Sequence, residues 1–248
     1  MIKPIVIVTV PYHLDYPVWR WNMERFKDYF ASIWVGFSNH YVENQDLRNF
    51  VRDKMPFANF VEVKRSRDDW RDDAVNEVLD RIKTSEPILF FEPDFLIHDS
   101  TFFDKVFKTD LPFIYYKEDT RIHPAFACVS RELIEKTTRN FAVTPPGDHF
   151  YGFFKELESL GYPGVNIEDL GVKPKTDFYH LAGLSQNYYN FKLDEPFYRP
   201  INFLYFNHKS LQFKGQHPLF FGIEQAIEKK YGHSHHTFLD NFFPVDFV

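Results

Sequence analysis

Ile88-Leu89-Phe90-Phe91-Glu92-Pro93-Asp94-Phe95-Leu96-Ile97 decides how the chain is read. Four large hydrophobes in succession predict a buried strand. The run then stops at two acids separated by one proline. A buried strand cannot end in free carboxylates unless they meet water, a cation or a hydrogen-bond donor. In extended chain Glu92 and Asp94 alternate with Pro93 and point to the same side. Two carboxylates aimed one way at a strand's end make a seat for a hard divalent cation. A strand running into an ordinary acidic turn is the competing reading.

Upstream, Ile5-Val6-Ile7-Val8-Thr9-Val10 is a β-branched run ending at Pro11, the pattern of a strand. Asp15 is placed to cap a helix with Pro17 in its first turn. Trp19, Met23, Phe26 and Phe30 then recur at helical spacing and give one apolar stripe. A second strand is expected over 32–37, ending in Ser38-Asn39-His40. Residues 46–54 read as a helix and 59–63 as a third strand. Asp68 or Asp69 caps the next helix, in which Val75, Val78, Leu79 and Ile82 follow the i, i+3, i+4, i+7 pattern. This alternation predicts βαβ crossovers: an α/β fold with a largely parallel central sheet flanked by helices. In such sheets ligands bind beyond the carboxyl ends of the strands. Those ends are Pro11-Tyr12-His13, Ser38-Asn39-His40 and Glu92-Pro93-Asp94.

The second half is irregular and rich in aromatics. Residues 111–116 read as a strand, and Ser130-Arg131-Glu132-Leu133 opens a short helix. Gly147-Asp148 is expected to open a helix carrying Phe150, Phe154, Leu157 and Leu160, stopped by Gly161. Asp177-Phe178-Tyr179-His180-Leu181 reads as a short strand. Residues 218–231 read as a helix with Gly232 after it. No internal repeat and no linker is visible, so one domain over 1–248 is expected.

Composition bounds the class. With 248 residues, 44% hydrophobic and 26% charged, the chain has the material for a large core. The 30 Phe and 14 Tyr suit a filled core and stacking surfaces. The single cysteine, Cys128, excludes an internal disulfide and fits a reducing compartment. It lies in the apolar run Ala125-Phe126-Ala127-Cys128-Val129, which predicts a buried, inert thiol. The first apolar run is too short to span a bilayer and has no basic leader before it, so a soluble cytoplasmic protein is expected. A net charge of −6 argues against a broad electrostatic grip on nucleic acid.

No glycine-rich phosphate fingerprint follows the first strand, which counts against a dinucleotide fold. The order of parts instead resembles a GT-A glycosyltransferase, over roughly residues 5–189. Val8-Thr9-Val10-Pro11-Tyr12 is similar to that family's first strand and base-binding turn. Asp72-Asp73-Ala74-Val75-Asn76 resembles its Ala-x-Asn helix. Glu92-Pro93-Asp94 stands where the family has Asp-x-Asp. Tyr179-His180-Leu181-Ala182-Gly183-Leu184-Ser185 resembles its late His-x-x-Gly element. Ile122-His123-Pro124-Ala125-Phe126 and Gly147-Asp148-His149-Phe150 occupy acceptor-side positions. The resemblance implies a nucleotide-binding half, 1–100, and an acceptor-binding half with a C-terminal segment, 101–248. Gln186 stands where some retaining members carry a basic residue, so the inverting class is expected.

The implied reaction moves a sugar from a nucleotide-diphosphate sugar, UDP-sugar by default, onto an acceptor. The leaving diphosphate needs its charge neutralised, which Mn²⁺ or Mg²⁺ can do. Asp94 is the expected direct ligand, Glu92 a direct or water-mediated one, and His180 the third; His180 can equally be a loop histidine held by hydrogen bonds. Pro11 and Tyr12 offer a stacking turn for the base. Ser38 and Asn39 can bond base or ribose. Asp69 and Asp73 can contact the base or sugar, or serve as cap and first-turn charge. Arg71 can meet phosphate or solvent. Lys209 and Lys214 can fold over the donor, or lie in a solvated loop. Asp148 is the candidate general base, or a plain N-cap, with Asp119 in reserve. His233-Ser234-His235-His236 reads as an exposed loop rather than a metal site. Rival readings are a nucleotidyltransferase on a similar sheet and a non-catalytic nucleotide- or carbohydrate-binding protein. The acceptor can be a glycan, a lipid-linked sugar, a protein or a modified nucleic-acid base.

Overall fold

The computed structural model describes residues 2–10, 22–37, 49, 52–53, 55–63, 70–92, 95–97, 100–118, 121–142, 149–174 and 176–180, with the backbone alone for 9, 10, 37, 70–73, 96, 118 and 179. The β-branched opening run forms β1 (Ile5–Val10), and β2 (Ser32–Phe37), β3 (Asn59–Glu62) and β4 (Ile88–Phe91) follow. Then come β5 (Phe95–Ile97), β6 (Phe113–Glu118), β7 (Arg121–Val129), β8 (Val165–Asn166) and β9 (Phe178–His180). Seven of these make one sheet in the order β3-β2-β1-β4-β7-β6-β8. All neighbours run parallel except at β7, which is antiparallel to both β4 and β6. The fold is therefore α/β with a mostly parallel sheet, as the alternating pattern predicts.

The order 3-2-1-4 contains a switch. The chain builds outward from β1 to β3, then returns across the helix Trp70–Arg81 to place β4 on the other side of β1. Ligands of open α/β sheets bind in the crevice at such a point, outside the carboxyl ends of the strands. The carboxyl end of β4 is Phe91, and Glu92 is the next residue.

β4 is apolar at every position because it is covered on both faces; all four residues are buried. Ile88 and Phe90 join a core with Val75, Val78 and Leu79 of the Trp70–Arg81 helix and Phe153, Phe154 and Leu157 of the helix Tyr151–Ser159. The Trp70–Arg81 helix lies close on β2. A Cβ at Gly36 would stand 3.2 Å from Val78 Cγ2, so glycine there permits the approach. Phe91 faces the other way, into a second aromatic core with Phe95 and Phe126. Phe102 and Phe103 of the helix Thr101–Val106 extend that core to Phe26 and Phe30. Met23, Phe26 and Phe30, three members of the expected stripe, are buried, whereas Trp19 lies outside the described residues.

The Ala125–Val129 apolar run, to which no element was assigned from the sequence, is part of the nine-residue strand β7, inside the sheet between β4 and β6. One expectation is corrected in detail. The helix expected to open at Gly147-Asp148 begins at Tyr151, and its N-cap is Phe150 in the left-handed region with φ 66°. A bulky residue there costs about 1–3 kcal/mol. Tertiary contacts hold it: the ring packs on Phe90, Phe141 and Phe154, and the amide donates to the Phe141 carbonyl. The helix does stop at Gly161, φ 84°, and Leu160 is left exposed rather than buried. No helix among the described residues is long and apolar enough to cross a membrane.

Burial settles Cys128. It is 3% exposed, and desolvation pushes its thiol from the usual value near 9 up to about 12. The folded state then holds this proton more tightly than the unfolded state. Its contribution to stability is complete below the unfolded value and is lost as pH rises through about 12. A disulfide-exchange reagent at pH 8 should therefore modify Cys128 only at the rate of global opening, measured alongside urea unfolding. Fast modification of folded protein would contradict the burial.

Candidate metal centre

Three side chains, one just past the end of β4 and the others from β7 and β9, meet at the switch point. One ligand atom each from Glu92, His123 and His180 lies within 4.8 Å of the other two. Glu92 and His180 were expected to share a site from the sequence, where His123 was assigned to the acceptor side. Asp94, the third expected ligand, lies outside the described residues.

Glu92 is positioned by the sheet. Its amide donates to the Ala125 carbonyl at 3.0 Å, one step beyond the last register pair, Phe91 with Phe126. Its carbonyl accepts from the Phe95 amide at 3.2 Å. The side chain is 19% exposed, so it keeps some contact with solvent while standing at the end of a buried strand.

His123 is positioned by an irregularity. β6 and β7 pair Tyr115 with Ala127 and then Tyr116 with His123, so Pro124, Ala125 and Phe126 have no counterpart on β6. Proline has no amide hydrogen for the ladder, and strands accommodate it at bulges. The bulge frees the Ala125 amide, which donates to His123 Nδ1 at 3.1 Å. The same Nδ1 stands 3.9 Å from Glu92 Oε2. The His123 side chain is 8% exposed and flanked by the rings of Tyr116 and His180.

His180 arrives from the far end of the described chain. β9 pairs antiparallel with β5 and sets His180 opposite Phe95, three residues after Glu92. Three devices fix this two-stranded sheet. Asn22, fully buried, donates to the Phe95 carbonyl at 2.8 Å and accepts from the Ile97 amide at 3.0 Å. Its carboxamide thus does for one edge of β5 what β9 does for the other. Asp177, just before β9, accepts from Lys105 Nζ and from the Lys173 amide, each at 2.7 Å. Phe95 stacks on Phe178 at 4.6 Å between ring centroids. The His180 ring lies 4.4 Å from that of His123 and 5.7 Å from that of Tyr116.

One carboxylate and two imidazoles in a half-dry, aromatic-walled recess suit a divalent transition ion. The other residues expected at the site are not brought into view. Pro11, Tyr12, Ser38, Asn39, Asp69, Asp119, Asp148, Lys209 and Lys214 lie outside the described residues, as do the 233–236 tract and residues 218–231, where a helix was expected. Arg71 and Asp73 fall in the first turn of the Trp70–Arg81 helix, and only their backbone is described. His123 and Asn22 are the positions that sequence reasoning missed. Pro124 inside an apolar run was the available signal for His123. Asn22 carried none, because its partners lie 73 and 75 residues away.

Replacing Asn22 by alanine should leave the Phe95 carbonyl and Ile97 amide buried without this partner. A loss of about 1–3 kcal/mol per group sets the scale, read as a lower urea midpoint with unchanged slope. The β5–β9 pair should loosen first, seen as faster amide exchange in residues 95–97 and 178–180. Unchanged stability and exchange would mean that Asn22 does not brace the strand.

No protein-family model matches this chain, and no curated protein does. Among solved structures, the apo-form glycosyltransferase GlyE of Streptococcus pneumoniae TIGR4 is similar, with 12% sequence identity and a TM-score of 0.42. The similarity covers 68% of this chain and 46% of that one, so the match takes in less than half the length of GlyE.

Proposed function

We propose that the chain is a cytoplasmic, metal-dependent glycosyltransferase that moves a sugar from a nucleotide-diphosphate sugar to an acceptor, with inversion. UDP-sugar is the default donor. One observation carries the reading: at the switch point, the Glu92 carboxylate at the end of β4 converges with the His180 imidazole from β9. A parallel sheet presents its ligand crevice at that place, and the donor set there is one that divalent ions use.

A bound Mn²⁺ or Mg²⁺ would neutralise the diphosphate as the glycosidic bond breaks. Glu92, Asp94 and His180 are the residues that would hold it. The remaining steps belong to the chain. Tyr12, beside Pro11, offers its ring to the base. Ser38 and Asn39 offer hydrogen bonds to base or ribose, and Asp69 and Asp73 to the nucleoside or the sugar. Arg71, Lys209 and Lys214 supply positive charge toward the phosphates. Asp148 takes the proton from the acceptor hydroxyl as the new bond forms, with Asp119 as the alternative base. The acceptor is a glycan, a lipid-linked sugar, a protein or a modified nucleic-acid base.

A panel of sugar nucleotides, incubated with and without Mn²⁺ and read by mass spectrometry, tests the reading. Turnover of one donor that disappears in excess chelator is the expected result. Asp94→Asn should lower that turnover by about 10²-fold, because it removes a ligand and keeps the shape. Turnover of no donor, or full activity in chelator, would sink the proposal.

Asp148→Asn separates chemistry from binding. Loss of a general base lowers kcat and spares donor affinity. Calorimetry should therefore find nucleotide binding unchanged while transfer falls. Retained transfer would move the base to Asp119.

A further inference from the structure

We propose that a cleft between the β6–β7 pair and the helix Tyr151–Ser159 is a binding site for a single sugar ring that carries a carboxylate or a phosphate. The cleft has a volume of about 250 Å³ and draws its walls from both strands and the helix. The inference stands apart from the transfer reaction proposed above and needs neither metal nor nucleotide.

The sheet sets one wall. Tyr115 and Lys117, two apart on β6, point to one face, and Tyr116 between them points to the other. Tyr116 meets His123 and His180 on its side, whereas Tyr115 packs against the core that holds Phe113 and Phe154. The cleft is therefore on the opposite face of β6 from that pair of histidines. Ile122, the register partner of Lys117, joins Phe154 to give an apolar floor. The Tyr115 ring is held from behind. It lies 5.3 Å from the Phe113 ring, and a Cβ at Gly164, φ 70°, would stand 2.9 Å from its Cδ1. The helix sets the other wall. Tyr151, Lys155 and Glu158 follow the i, i+4, i+7 spacing and share one side. The left-handed residue Phe150 immediately precedes Tyr151, so a strained turn delivers a ring that lines the cleft.

Charge selects an anion. Lys117, Arg121 and Lys155 line the cleft against one carboxylate, Glu158. The chain as a whole carries a net charge of −6, so the sign reverses locally here. Glu158 is bound by Lys155 on its own helix at 2.8 Å, and no ion pair joins Lys117 to a described residue. Charge-assisted hydrogen bonds from such cations to a carboxylate or phosphate are the strong kind. The rings select the rest of the ligand. Tyr115 and Tyr151 each offer a flat apolar face with a hydroxyl at its end, which suits a ring with an apolar face and a polar edge. Lys155 Nζ stands 5.9 Å from the centre of the Tyr151 ring, so charge and ring are presented together. Burial, followed by the charges of Asp169 and Glu158, holds the Tyr115 phenol above its ordinary value, and its hydroxyl stays a neutral donor. Glu158 can accept from a sugar hydroxyl, a group that a bare inorganic anion does not bring. Size sets the limit. Pockets for drug-sized molecules run to about 300–1,000 Å³, so a cleft of about 250 Å³ takes one ring rather than a nucleoside diphosphate.

The test uses the full chain in chelator and without nucleotide. A panel of hexuronates, hexose phosphates, the matching neutral hexoses and inorganic phosphate is titrated and followed by NMR. At least one charged sugar should bind about 10-fold or more tightly than its neutral counterpart and than inorganic phosphate. Whether a uronate or a sugar phosphate binds best identifies the anion. The affinity should fall as sodium chloride is raised. Lys117→Gln and Tyr151→Ala should each weaken binding by about 5-fold or more with circular dichroism unchanged. On the unmodified chain, the bound sugar should slow acetylation of Lys117 and Lys155, read by mass spectrometry, and spare that of the exposed Lys83. Binding of no charged sugar, or of neutral hexose or inorganic phosphate as tightly as every charged sugar, would overturn the inference. So would full affinity in both folded variants, or acetylation of Lys117 that the bound sugar does not slow.

Discussion

The pairing of Phe95 with His180 holds this site together. Phe95 is fully buried, and its ring meets those of Phe91, Phe102, Tyr116, Phe126 and Phe178. Its amide closes back on Glu92, its carbonyl is taken by Asn22, and its register partner is His180. One residue therefore ties the end of the central strand to a histidine 88 positions after Glu92 in the chain. Aromatic contacts of this kind add about 0.5–1.5 kcal/mol each beyond the area they bury. Losing such a ring leaves a cavity worth about 3–5 kcal/mol. The high phenylalanine content serves this purpose: two aromatic cores, one on each face of the sheet, clamp β4 and fix where its end lies.

The same scaffold sets His123. The Ala125 amide donates to its Nδ1 at 3.1 Å, and Glu92 Oε2 stands 3.9 Å from that nitrogen. Backbone hydrogen bonds at Glu92 and Phe95 hold the other side of this spacing. Elsewhere the fit of a core outweighs local backbone strain: Phe150 keeps φ 66° beneath Phe90.

Most of the sheet was legible because its signals are local. β1, β2, β4 and the Trp70–Arg81 helix follow from runs of β-branched or aromatic residues and from 3.6-residue periodicity, and each was read nearly to the residue. The end of β4 as a ligand-bearing place also followed, since an apolar run that ends in acids must meet a compensating group. The late helix was placed too early, because Gly147-Asp148 carries the composition of a helix start while the observed start depends on Phe141 and Phe90 holding Phe150. The role of β7 was missed because an apolar run adjoining a proline does not announce a central strand.

By itself, the sequence determined the α/β class, the mostly parallel sheet, the burial of Cys128 and the presence of Glu92 at a strand's carboxyl end. Each of these depends on residues close together in the chain. Only the tertiary structure decided that His123 joins Glu92 and His180. That meeting needs an antiparallel β7 beside β4, a bulge at Pro124 that turns one imidazole, and the β5–β9 register that delivers the other. All three are long-range pairings, and a pairing register is set by which faces are buried together, a property no single segment carries.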